Sequence, residues 1–98
     1  MKLGSPLTPE AAEGVAIQAL TFLAGDAERL SRFLAVTGIG PGEIRSASAE
    51  SGFLAGVLDY LCSDERLVTD FAAEAEIDPA TVGRAREALG GTWERETP

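Results

Sequence analysis

Sixteen carboxylates, eight basic side chains, one cysteine and no histidine make up the chemical repertoire of this 98-residue chain. Without imidazole it lacks the usual general base near neutral pH, which excludes Ser-His-Asp and Cys-His nucleophilic catalysis and imidazole-ligated zinc. Paired carboxylates are the remaining route to proton transfer, and they serve only where burial keeps one of them protonated. The acids fall instead at helix starts (Asp26, Asp64, Asp78) and on polar faces, with Asp59 on the exposed side of an apolar run. Asp59 and Asp70 have the outer spacing of a calcium-binding loop, but no turn glycine lies between them and the intervening pattern is helical. Cys62 can form neither an internal disulfide nor a CxxC pair, and with no histidine or nearby lysine to stabilise a thiolate it reads as a packing thiol. Gly38, Gly40 and Gly42 alternate with Ile39 and Pro41 as helix punctuation, without the spacing of a phosphate-binding loop. The chain is therefore expected to be no enzyme, with no cofactor and no metal.

Charge narrows the partners. The net charge of -8 and a pI near 4.3 repel phosphate backbones and anionic lipid heads. The excess is concentrated: Asp59 to Asp78 holds seven acids against Arg66 alone, whereas Pro79 to Pro98 is balanced. Such a stretch is either a solvated face that keeps a small domain in solution or a contact surface for a basic protein. Asp70, Glu74, Glu76 and Asp78 are the candidate partner-binding residues. The same region, Phe71 to Ala85, resembles the helix-turn-helix of bacterial DNA-binding regulators. Ala72 stands where the helices would cross, Ile77 in the turn, Val82 inward, and Arg84 and Arg86 on the second helix as the alternative DNA contacts. Glu76, however, occupies the position usually given to glycine, and Glu74, Glu76 and Asp78 set negative charge beside the reading helix. Nucleic acid is the disfavoured alternative.

The elements that must position these residues are all helices, since no stretch alternates as a half-buried strand does. Thr8-Pro9 starts a first helix to about Ala24, with Val15, Ala16, Ala19, Leu20 and Leu23 on one face and Gly25 as its stop. Asp26 caps a second, about Ala27 to Thr37, that points Leu30, Phe33, Leu34 and Thr37 inward and carries a polar patch of Glu28, Arg29 and Arg32. Pro41 begins a short third helix through Ile44 and Ala47. Phe53, Leu54, Val57, Leu58 and Leu61 make the fourth helix the most apolar, the expected centre of the core. Ser63 or Asp64 caps a fifth that uses Leu67, Val68, Phe71, Ala72 and Ala75. Asp78-Pro79 starts a sixth through Val82, Ala85 and Leu89, ended by Gly90-Gly91.

Shifted by 38 residues, the halves match at Leu20/Leu58, Leu23/Leu61, Asp26/Asp64, Phe33/Phe71, Ala35/Ala73, Ile39/Ile77, Pro41/Pro79 and Ala47/Ala85. The expected architecture is all-α: one compact bundle of about six helices in two similar three-helix units, about 9-48 and 50-91. Each unit is too small to bury its apolar face alone, so the two should share one core. A loose tail covers 92-98, from which Trp93 could fold back. No apolar run reaches the length of a membrane span and Met1 to Leu7 does not open a secretory signal, so a soluble, cytoplasmic protein is expected. The Gly52 and Gly56 pair would admit a neighbouring helix, within one chain or between two, and a monomer or weak homo-oligomer is expected.

Four runs, Ile17 to Ala24, Glu28 to Leu34, Gly52 to Leu61 and Phe71 to Ala75, together resemble the small bacterial family catalogued as domain of unknown function 3572, over about Pro9 to Gly91. The resemblance implies a small helical protein and carries no activity, substrate or catalytic residue with it. It also implies genes lying beside a response regulator, hence a bacterial signalling context. The function expected from the residues is an interaction or adaptor module for an unidentified, basic protein partner, with a degenerate helix-turn-helix regulator as the alternative.

Overall fold

The computed structural model describes residues 7–47 and 51–95, and among them there are helices and no strands. In chain order the elements are α1 (Pro9–Ala24), α2 (Ala27–Thr37), a 3-10 turn (Pro41–Glu43) running into α3 (Ile44–Ala47), α4 (Ser51–Cys62), α5 (Glu65–Ala75) and α6 (Pro79–Arg95). Five of these are full helices. The expected short third helix is present through Ile44 and Ala47, but its first turn is 3-10 and only one α-helical turn follows among the described residues, so the count of six is slightly off. Gly38, Gly40 and Gly42 surround its start, and a run that short gains too few hydrogen bonds to offset nucleation.

Local chemistry accounts for the helix ends. Thr8 Oγ1 accepts the Ala11 amide at 3.1 Å, ahead of Pro9 at the first helical position. Asp26 Oδ1 accepts the amides of Glu28 and Arg29 at 2.9 and 3.2 Å, and Asp64, rather than Ser63, caps α5 by accepting from Arg66 at 3.0 Å. Gly38 ends α2 in the left-handed conformation that suits glycine, with φ 75°. The second correction concerns α6, which runs through Gly90 and Gly91 to Arg95. A glycine inside a helix costs only about 1 kcal/mol against alanine and ends the helix only where the chain turns away. Residues 92–95 are therefore helix instead of loose tail; 96–98 and the Trp93 side chain lie outside the described residues.

Three helices make the centre. α6 packs along both α1 and α4, which also pack on each other, while α2 leans on α1 and α5 on α4 and α6. One contiguous core joins Ala12, Ala16, Ala19, Leu20 and Leu23 of α1 to Leu54, Val57, Leu58 and Leu61 of α4 and Val82 and Ala85 of α6, with Phe33 and Phe71 entering from α2 and α5. α3 rests mainly on the turn before it, contributing only a half-buried Ile44. Thr37 is a further correction: its side chain is exposed, and its hydroxyl donates to the Phe33 carbonyl at 2.9 Å. Gly52 and Gly56 are exposed, and among the described residues no atom beyond their own stretch of helix lies within 4 Å of where a Cβ would stand, so they admit no neighbouring helix of those residues. No helix among the described residues is long and apolar enough to cross a membrane.

Candidate functional site

The acidic residues singled out from sequence do not form one cluster of like role. Asp70 and Glu74, four residues apart on α5, share an exposed edge of that helix. Glu76 is exposed just beyond the helix, holding the left-handed conformation (φ 60°) that ends α5. Its amide and that of Ile77 close on the carbonyls of Ala73 and Ala72 at 3.3 and 3.0 Å, the usual helix-ending arrangement carried by an unusual residue. Asp78 is committed to α6, accepting the Ala80 amide at 2.9 Å.

The basic residues of the helix-turn-helix alternative are separated too. Arg84 and Arg86 lie two apart, so they point to different sides of α6. Arg84 is half-buried, and Arg86 Nε donates to Asp59 Oδ1 of α4 at 2.7 Å, across the surface of the bundle. With side-chain exposures of 48% and 64%, that ion pair contributes little to stability. It sits near Cys62, whose half-buried thiol is pushed up from its ordinary range by burial first; Arg86 works against this shift and Asp59 with it. A thiol held protonated is a poor nucleophile, which suits a packing role. Among the described residues no group of cysteine, aspartate and glutamate converges as a metal site would require.

What the sequence reading missed is a groove of about 430 Å³ between α1, the start of α2 and the end of α5. Phe22 and Phe71 form its floor, ring centroids 5.5 Å apart and tilted. Ile17, about half exposed, and Thr21 form the α1 wall, Glu74 and Ala75 the α5 wall. At the α2 end the Arg29 guanidinium carbon lies 4.3 Å from the centroid of the Phe22 ring, a cation–π contact. Asp26 stands beside it, its carboxyl held below the ordinary range by the amides of Arg29 and Glu28. Of the four acids expected to meet a partner, Glu74 alone lines this groove.

The signal for it was present in α1. Phe22 sits at the edge of the stripe from Val15 to Leu23 and Ile17 outside it, making α1 apolar beyond its core-facing side, and such a helix has neighbours on more than one side. α4 and α6 cover the first face; α2 and α5 only partly cover the second. A second recess, about 400 Å³, lies between Arg29, Arg32, Tyr60, Ser63, Asp64 and Leu67, and is the more polar of the two.

These features define an all-helical domain with an open groove that has an aromatic floor and a charged rim. The chain belongs to the family described as protein of unknown function (DUF3572), whose model matches residues 9–92, from the first residue of α1 into α6. No curated protein and no solved structure matches it.

Proposed function

We propose that the chain is a non-enzymatic interaction module of the cytoplasm that takes a basic protein as its partner, with the outer edge of α5 as the contact. The observation that carries this reading is the state of Asp70, Glu74 and Glu76. All three are exposed, and among the described residues none has a salt-bridge partner. Carboxylates left open at one end of a domain of net charge -8 raise the encounter rate with a cationic surface and select against anionic ones. The separation of Arg84 from Arg86, and the use of Arg86 by Asp59, argue for a protein over a duplex.

Affinity capture from native lysate with quantitative mass spectrometry tests the reading. A specific partner should be retained by the wild-type chain and lost by Glu74→Lys/Glu76→Lys, with circular dichroism showing the fold intact. Given the family resemblance, signalling proteins are the first partners to try. Capture indifferent to the charge reversal would remove this surface from consideration. In a salt titration on random duplex DNA, affinity no tighter than about 10⁻⁴ M is expected, and micromolar binding that weakens with salt would restore the helix-turn-helix reading.

A further inference from the structure

We propose that the groove between α1, α2 and α5 binds an amphipathic helical segment of the partner, one apolar face down on Phe22, Phe71 and Ile17 and a lysine or arginine beside Glu74. The inference rests on the interaction reading above and names the shape and chemistry of what is recognised.

Three observations point to this occupant. The floor is apolar and aromatic but its Phe22 and Phe71 rings are already buried, whereas Ile17 beside it stays 48% exposed, so a large side chain entering there removes mainly the Ile17 surface from water along with its own. The walls are helices, and a channel between packed helices accepts another helix through anchors at one-turn spacing. The charges choose the sign of the segment. Glu74 and Asp26 outnumber Arg29 on the rim, which leaves it net negative although Arg29 keeps its charge over the Phe22 ring, and Asp70 extends the negative edge along α5. A second copy of this chain fits poorly, since it brings another net charge of -8 to the same rim.

The probe is a synthetic amphipathic peptide of about four helical turns with a leucine and phenylalanine face and lysines on its flank. It is titrated into the full chain by calorimetry and by ¹⁵N NMR. A scrambled peptide of the same composition and a glutamate-for-lysine version serve as controls. The expected result is micromolar binding by the lysine peptide alone, with amide shifts centred on Ile17, Thr21, Glu74 and Ala75. Ile17→Asp and Glu74→Lys, each checked for a native spectrum, should weaken it by about tenfold or more. Equal binding of the scrambled peptide, tighter binding of the acidic one, or an Ile17→Asp variant that binds normally would overturn the proposal. So would concentration-dependent dimerisation through the same amides in sedimentation, or the same shifts on adding duplex DNA. Lysate capture that depends on Glu74 and Glu76 while the peptide fails would sink the groove alone and leave the interaction reading standing.

Discussion

α1, α2 and α3 in the first half of the chain and α4, α5 and α6 in the second share several features at matched positions until their third elements. Under the 38-residue shift α2 falls on α5, Asp26 on Asp64 as helix caps, and Gly38 on Glu76 as left-handed ends. The aromatic contacts exchange in the same way: Phe22 meets Phe71 at 5.5 Å, while their counterparts Tyr60 and Phe33 meet at 5.2 Å. The two recesses follow suit, with Phe22, Asp26 and Arg29 lining one and Tyr60, Asp64 and Leu67 the other. Then the halves diverge. α3 is one turn and α6 is 17 residues long. Val82 and Ala85 are fully buried where Ile44 and Ala47 are only half so. A single long helix lies across both α1 and α4, and the first half has no equivalent to offer. The lesson is that similar hairpins need not make a symmetric protein: one extended third helix suffices to bind both into a shared core.

The strongest way to break that comparison is to empty its matched positions. Phe33→Ala and Phe71→Ala should each cost about 3–5 kcal/mol, because both rings are buried in the same core. Urea unfolding followed by far-ultraviolet circular dichroism should show one cooperative transition in each variant. A variant that unfolds in two steps would mean that the halves are independent. The unmatched third elements should separate next: Val82→Ala is expected to lose about 2–3 kcal/mol and Ile44→Ala about 1 kcal/mol, the difference reflecting full against partial burial. Equal losses would restore the symmetry that the structure denies.

The helix ends sharpen the comparison at a smaller scale. Gly38→Ala should destabilise by about 1 kcal/mol through the backbone, since among the described residues nothing crowds a Cβ there. Glu76→Gly should stabilise by up to about 1 kcal/mol while removing a contact charge, so it tests strain and binding separately. The smallest effect concerns Asp26. Its lowered pKa means that its contribution is present above the ordinary carboxylate range and is lost as pH falls through the lowered value. Asp26→Asn keeps an acceptor for the α2 amides without titrating, so its unfolding midpoint should decline less than the wild type's between about pH 4 and pH 2. A parallel decline would mean that this carboxylate does not shape the acid limb.

Much of this architecture is legible residue by residue, because helix starts are written within a few positions. Thr8-Pro9, Asp26, Asp64 and Asp78-Pro79 all cap or open helices, and the inward faces of α4 and α5 follow from spacing. Reading glycine as a stop was less reliable, succeeding at Gly25 and Gly38 and failing at Gly90 and Gly91. Whether a glycine ends a helix depends on what lies beyond it to hold the turned chain. Thr37 illustrates the same limit, since a helical position beside a core residue can still face water once the neighbouring helix is placed.

From its order of residues alone the chain is all-helical, lacks histidine and concentrates most of its net negative charge between Asp59 and Asp78. Those properties are local or compositional. Contacts between distant residues belong to the tertiary structure. Arg86 finds Asp59 across 27 positions, Phe22 finds Phe71 from the other half, and Arg29 settles on Phe22 at the mouth of the groove. No local pattern encodes these meetings, because each depends on how whole helices cross. The crossing is set by the summed packing of a core to which both halves contribute.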